Sequence, residues 1–508
     1  MTRRKKFIYN GILLTIVGLA IRSVSMLFNS YITRTVGTEG IGLFTLIMTV
    51  YSFAITFATS GISLTVTRLV AAAIGEGDVG RVRKIMRHAV VYALIFSVFS
   101  GLVLFLFAEY FGASVLGDGR TVLPLRALSV SLTPIALTSV FGGYFVGVKR
   151  VAKNAVVQVL TQVFKISITV FLVLKFAKHG VEYATLALCI SITLTELCAF
   201  FVSLIQYIYD KKEEKRENGV PSRFSDITSM ALPLALSAYI RSALLTLEHI
   251  LIPKRLRDRG DSLTEALSSY GILHGMALPM LIYPMSPLTS FSGLLVPEFA
   301  ESMASSDEGR MSRMASEALN TTLLYSVCAA VLLYIFSEEL GFVIYGSYDA
   351  GRYIALMAPV VPIMYLDHVT DSMLKGIGEH VYSMWVNISD SLLSVILIWF
   401  LIPAMGIGGY AVVIVVMEGY NFILSFLRLK RKIKFKIDLI GFFAIPLAFS
   451  TASAYLCQKL FIMGGEGASG LWLVLKLVFA SSIIVASFLI RKQMKFPTLW
   501  RKTLKNKH

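Results

Sequence analysis

Four cations stand inside stretches otherwise fit for hydrocarbon: Arg22, Arg68, Lys165 and Arg241. Six acids share that setting: Glu196, Glu248, Asp367, Asp371, Asp390 and Glu418. A charge at the centre of a membrane helix costs about 2.5–3.5 kcal/mol on insertion scales, so each needs a partner or a water-filled path. Arginine in such a place suits phosphate, because its planar fork binds two oxygens at once. The cations are therefore candidates for holding a diphosphate in a central cavity. Arg126 lies near a span edge, where its guanidinium can snorkel out.

The acids suggest a different chemistry. Asp367 and Asp371 are four apart and share a helix face, as do Arg241 and Glu248 at a spacing of seven. The Arg241–Glu248 spacing also fits a structural lock. Asn387 and Asp390, three apart, offer oxygen ligands. Glu248, Asp367, Asp371, Asn387, Asp390 and Glu418 are candidates for sodium or proton coupling. No metal-ligand spacing and no cofactor motif occurs. The four cysteines, Cys189, Cys198, Cys328 and Cys457, lie in apolar spans and read as small core residues.

The elements that must position these residues are membrane helices. Of 508 residues, 56% are hydrophobic and 16% charged, and mean hydropathy is +0.72. A span needs about 20 mostly apolar residues. Such runs occur at 8–34, 41–69, 88–108, 122–148, 154–177, 182–208, 227–251, 268–297, 316–337, 353–375, 380–403, 407–427, 438–461 and 470–490, fourteen in all. They lack the two-residue alternation of outer-membrane strands. The expected fold is all-α and integral to the membrane. Pro233, Pro279, Pro284 and Pro287 break the backbone bonding of two spans, through a hinge or through close packing.

The net charge of +17 follows the positive-inside rule rather than nucleic-acid binding. Placing the N-terminus in the cytoplasm puts 32 of the 48 Lys and Arg at cytoplasmic ends and 9 outside. Both termini are then cytoplasmic. The external exception is the run Lys254–Arg259, read as a solvated loop or a basic rim that meets an anionic headgroup.

The halves repeat. At a shift of 229 residues, Asp78, Gly80 and Arg81 meet Asp307, Gly309 and Arg310. Ser97 and Val98 meet Ser326 and Val327, and Phe107, Glu109, Gly112, Gly117 and Gly147 meet Phe336, Glu338, Gly341, Gly346 and Gly376. Earlier, Ile21-Arg22-Ser23 meets Ile240-Arg241-Ser242 at a shift of 219. Six spans are echoed by six, so the copies run parallel. The expected organisation is an N-lobe at 1–209, a cytoplasmic linker at 210–226, a C-lobe at 227–430, and two further spans with a basic tail at 431–508. In a parallel duplication, Arg22 and Arg241 would face each other as a diphosphate clamp.

No phosphate loop, His-Glu-x-x-His or nucleophile elbow occurs, and the loops are short, so an enzyme is not expected.

Several stretches resemble the polysaccharide biosynthesis and stage V sporulation protein B family of the multidrug/oligosaccharidyl-lipid/polysaccharide (MOP) exporter superfamily. They are Tyr31-Ile-Thr-Arg34-Thr-Val-Gly37-Thr-Glu39-Gly40-Ile-Gly42, Leu232-Pro233, Ile240-Arg241-Ser242, Ile252-Pro253-Lys-Arg-Leu256, Tyr270-Gly271-Ile-Leu-His-Gly275-Met276-Ala-Leu-Pro279, Leu295-Val-Pro297-Glu298 and Lys375-Gly376-Ile-Gly378. The resemblance implies fourteen helices in two lobes, a cationic central cavity, and outward flipping of undecaprenyl-diphosphate-linked sugars in a bacterial cytoplasmic membrane. Lipid II and spore-cortex precursors are the implied cargo, with membrane lipids and cell-wall synthesis enzymes as candidate partners. Arg22 resembles the family's first-helix arginine. The family's eighth-helix arginine has no match at Gly275–Pro279. A cation-coupled drug exporter and a non-transporting envelope scaffold are the competing readings.

Overall fold

The computed structural model describes residues 3–59, 61–76, 78–148, 150–212 and 224–462, with 473, 475–479 and 481. The side chains of residues 3–23, 26, 75, 79, 151, 211, 212, 233, 234, 237, 290, 304 and 460–462 lie outside that description. Arg22 and Pro233 are among them, as are most of the linker and of the fourteenth expected span.

The described residues are helical apart from short turns and connections. The first compact unit, Met1–Gly271, holds α1 (Arg3–Thr59), α2 (Ile62–Gly75), α3 (Val79–Leu106), α4 (Val122–Ser129), α5 (Leu132–Gly147), α6 (Val151–Phe176), α7 (Val181–Lys212), α8 (Phe224–Arg259) and α9 (Leu263–Tyr270). The second, Ile272–His508, holds α10 (Leu278–Ile282), α11 (Ser286–Ala304), α12 (Glu308–Ile335), α13 (Ser337–Leu340), α14 (Tyr348–Met357), α15 (Val361–Gly376), α16 (His380–Met405), α17 (Ile407–Lys432) and α18 (Ile445–Ile462). The packing boundary thus falls after α9, so α8 and α9 pack with the first six expected spans.

Among the described residues, ten helices are long and apolar enough to cross a membrane, or eleven if the pair Gly119–Ser129 and Leu132–Gly147, bent by 42°, is one span. The sequence expectation was fourteen. Part of the difference lies at Gly37, whose φ of 81° breaks α1 into two helices. Many large apolar side chains stand exposed, Leu106 and Phe400 at 68% each. In water they would form one adhesive surface; in a bilayer they face lipid.

The sequence repeat reappears as structure. Asp78 caps α3 by accepting from the Arg81 backbone N–H at 2.8 Å, and Asp307 caps α12 by accepting from Arg310 at 2.9 Å. Both helices are 28 residues long. Both end at a phenylalanine, Phe107 and Phe336, and each is followed by a π-helical turn, Tyr110–Val115 and Gly341–Tyr345. Gly117 and Gly346 then take φ of 71° and 70°, the left-handed region that glycine enters without steric cost. At Gly147 a Cβ would meet Val70 and the Thr67 carbonyl; at Gly376 it would meet Phe299 and the Val296 carbonyl. The same shift of 229 relates the caps, the phenylalanines and the glycines, and the two π-helical turns overlap at it. The main core of unit 1 is built on α2, α3 and α5, and that of unit 2 on their counterparts α11, α12 and α15.

The stretch 263–304 is interrupted as its prolines require. A capping box between Ser262 and Glu265 starts α9, and π and 3-10 turns follow at Gly271–Ala277 and Tyr283–Met285. Tyr365 Oη donates to the Leu281 carbonyl at 2.7 Å and Tyr325 Oη to the Pro284 carbonyl at 2.6 Å. Irregular backbone at membrane depth is tolerated where protein satisfies it, and these two tyrosines do so.

Within unit 1, α1 and α9 cross at two glycines. A Cβ on Gly42 would overlap the Leu267 carbonyl, and one on Gly271 would overlap the Thr38 carbonyl. Residues 42 and 271, and residues 38 and 267, are each 229 apart. The two copies of the repeat therefore give reciprocal residues to one close crossing, the small-residue packing that membrane helices favour. A hydrogen bond from Ser268 to Thr38 at 2.8 Å supports it.

Candidate functional site

Two hairpins carry the buried charges. In unit 1, α6 packs on α7. Lys165 on α6 and Glu196 on α7 are half-buried electrostatic neighbours. Tyr51 on α1 is a further neighbour of Glu196, and its hydroxyl is hydrogen-bonded to Ser131 in the break between α4 and α5. The Lys165 charge is thus offset inside its own unit, which weakens it as a phosphate ligand.

Arg68 on α2 and Arg241 on α8 behave differently. Both are exposed, and neither forms an ion pair among the described residues. The lock between Arg241 and Glu248 is therefore not formed. Glu248 is buried on α8 and acts electrostatically on Tyr270. Arg126 lies 3.9 Å from Glu109 and 5.8 Å from the centre of the Phe105 ring, a snorkelled cation on an aromatic face.

In unit 2, α15, α16 and α17 pack together and bring acids to one place. Asp367 and Asp371 on α15, Asp390 on α16 and Glu418 on α17 are electrostatic neighbours. Asp371 is paired with Lys375 at 2.5 Å. Asp367 is hydrogen-bonded to Ser425, while its Oδ1 is buried without a hydrogen-bond partner among the described residues. Asn421 Oδ1 is in the same condition. Asn387 spends its amide N–H on the Ser383 carbonyl at 2.7 Å.

Glu418, Asn421 and Ser425 fall at helical spacings of three and four, a polar stripe on α17. Reading the sequence for charges alone missed the last two, although the stripe was there to find. Among the described residues no set of three or more His, Cys, Asp or Glu converges closely enough to hold a metal ion.

The family follows from the match of its sequence pattern, described as polysaccharide biosynthesis protein, to residues 7–303. The chain belongs to that family. Stage V sporulation protein B of Bacillus subtilis (strain 168) is 28% identical over 421 residues, covering 81% of each chain. The lipid II flippase MurJ of the same organism is 24% identical over 416 residues, covering 75% of this chain and 74% of its own. A solved structure of lipid II flippase MurJ in an inward closed conformation superposes with a TM-score of 0.71 at 14% identity, over 95% of this chain and 100% of that one. An inward-facing multidrug resistance MATE family transporter of the MOP superfamily gives 0.63 at 16% identity, over 82% and 98%. Among the described residues the chain is accordingly all-α, with ten or eleven candidate membrane spans and a MurJ- and MATE-like fold.

Proposed function

We propose that this chain is a flippase for a lipid-diphosphate-linked oligosaccharide, such as lipid II or a spore-cortex precursor. In this reading it works by alternating access, carrying its cargo from the inner to the outer leaflet of a bacterial cytoplasmic membrane. The observation that carries the reading is the pair Arg68 and Arg241, exposed guanidinium groups that form no ion pair among the described residues. A cationic drug would be repelled by such groups, whereas a diphosphate would satisfy them bidentately. Arg22 completes the proposed clamp as the repeat counterpart of Arg241. Relatedness to a lipid II flippase by sequence, and not only by fold, supports the same cargo.

Fourteen spans fit this reading. Dividing α1 at Gly37, counting the bent pair as one span and admitting the 36-residue α8 brings the described total to thirteen. The apolar run 470–490 would be the last. Both termini are then cytoplasmic, as the basic residues favour.

The unit 2 acids are the proposed coupling site. Asp367, Asp390 and Glu418 are electrostatic neighbours at membrane depth, and the nearby Lys375 is paired with Asp371. Three negative charges at membrane depth would be costly unless protons or a cation accompany them.

The reading is tested by complementation of a flippase-deficient strain. Arg68→Ala with Arg241→Ala should lose complementation while membrane expression persists. Normal growth of the double variant would remove the clamp and favour a scaffold.

A further inference from the structure

A cleft in unit 1 has the shape and charge of a second lipid site. It measures about 410 Å3 and lies between the second half of α1, α3, the π-helical turn after α3, and α8. Its lining is almost wholly apolar. Phe99 and Leu247, exposed at 57% and 46%, line it from α3 and α8, and Phe111 and Val115 line it from the π-helical turn. So apolar a space in a bilayer is a place for a hydrocarbon chain rather than for water.

The cleft does not end in apolar residues. On α8 its lining positions are Ala243, Thr246, Leu247 and Ile250, one helical stripe. The next positions on that stripe are Lys254 and Arg257. The Arg257 guanidinium donates to the Gly117 carbonyl at 3.4 Å, two residues beyond Val115. The two cations therefore continue the lining stripe of α8, and Arg257 meets the turn that carries Val115.

Nearby acids are largely committed elsewhere. Asp118 is held by Arg120 at 2.8 Å, and Glu39 by Arg120 at 2.9 Å. Asp258 pairs with Arg255 at 2.9 Å, Glu265 caps α9, and Glu109 faces Arg126. Asp261 is the remaining acid of this rim, against Lys254, Arg257 and Arg259, all three exposed.

We propose that this cleft and its basic rim bind an anionic glycerophospholipid, with an acyl chain between α3 and α8 and the phosphate headgroup at Lys254 and Arg257. The site lies wholly within unit 1 and does not depend on the identity of the transported cargo. It gives the basic run Lys254–Arg259, which the transport reading leaves without a task, a ligand that complements it.

The test is photolabelling of the full chain in nanodiscs with diazirine-tailed phosphatidylglycerol or phosphatidylcholine, the label being mapped by peptide mass. The anionic lipid should label the segments containing Phe99 and Leu247 in preference, by about fivefold for each engaged cation. Lys254→Gln with Arg257→Gln, on exposed side chains that leave the fold intact, should bring anionic labelling down to the zwitterionic level. Ala243→Trp should abolish labelling by both lipids with the rim unchanged. Equal labelling by the two lipids, or anionic labelling that survives the double substitution, would overturn the assignment. So would displacement of phosphatidylglycerol by an equal amount of polyprenyl diphosphate.

Discussion

At the N-terminal end of α6, Arg150 binds Asp210 from the end of α7, with Lys153 and Tyr144 on the same carboxylate. At the N-terminal end of α16, Glu379 binds Arg428 at 2.8 Å and Lys432 at 2.9 Å from the end of α17. Positions 150 and 379 are again 229 apart. The two units close equivalent hairpins with the same kind of contact and opposite polarity. Deeper in the hairpins the difference widens. Lys165 and Glu196 are neighbours of opposite charge in unit 1, while Asp367, Asp390 and Glu418 gather in unit 2 as like charges. Caps, π-helical turns and close glycines, which fix backbone paths, persisted through the duplication. Charges, which need only a complementary neighbour, diverged, and the proposed coupling role falls on unit 2.

The interior charges give the largest expected contrast. Asp367→Asn or Glu418→Gln should lower cargo flipping at least tenfold, as about 1.4 kcal/mol or more of lost driving interaction requires. The response to an imposed proton gradient should be lost with it. Lys165→Met with Glu196→Gln removes a compensated pair and should change flipping far less. Equal losses in the two units, measured in the same proteoliposomes, would end the division of labour.

The end locks come next. Asp210→Asn leaves a buried position and three donors without their charge, and should cost about 3 kcal/mol, seen as a lowered melting temperature in detergent. The double reversal Arg150→Glu with Asp210→Arg installs the polarity that unit 2 uses. It should recover part of that loss, and a double-mutant cycle with no coupling would show that the polarity carries nothing.

The glycines sharpen the comparison by sign. Gly42→Ala forces a methyl against the Leu267 carbonyl and should destabilise by about 1–3 kcal/mol. Gly293→Ala in α11 meets nothing within 4 Å and should stabilise by up to about 1 kcal/mol through helix propensity. Melting temperatures that shift in the same direction would contradict the crossing.

The smallest effect is in pH. Hydrogen bonds from Lys432 and then Arg428 hold the Glu379 carboxyl below the usual glutamate range. Its contribution is therefore complete above the ordinary glutamate value of about 4.3 and is lost as pH falls through the depressed one. Because both cation partners are partly exposed and screened by solvent, the effect is modest. Glu379→Gln should flatten the acid limb of the melting curve, and an unchanged limb would assign it to other carboxylates.

Much of this was legible in the sequence because membrane helices announce themselves by length and apolarity, and duplicated turns by glycine and aspartate. The register of 229 paired the aspartates that the fold uses as caps and the glycines that it places in the left-handed region. The convergence of Asp367, Asp390 and Glu418 was not legible, since it depends on which faces of α15, α16 and α17 meet. Neither was the pairing of Lys165 with Glu196 across two helices. Spacing suggested a lock between Arg241 and Glu248, yet Glu248 is buried and Arg241 is exposed. The span count was blurred by Gly37, where two helices join without a polar loop to mark the break.

The account's central claim is most directly tested by reconstituting the full chain in proteoliposomes and measuring translocation of a lipid-diphosphate-linked oligosaccharide beside efflux of a small organic cation. The account predicts protein-dependent translocation of the lipid-linked sugar, lost in Arg68→Ala with Arg241→Ala, and no efflux of the cation. Cation efflux without lipid translocation would contradict it and assign the chain to small-molecule export.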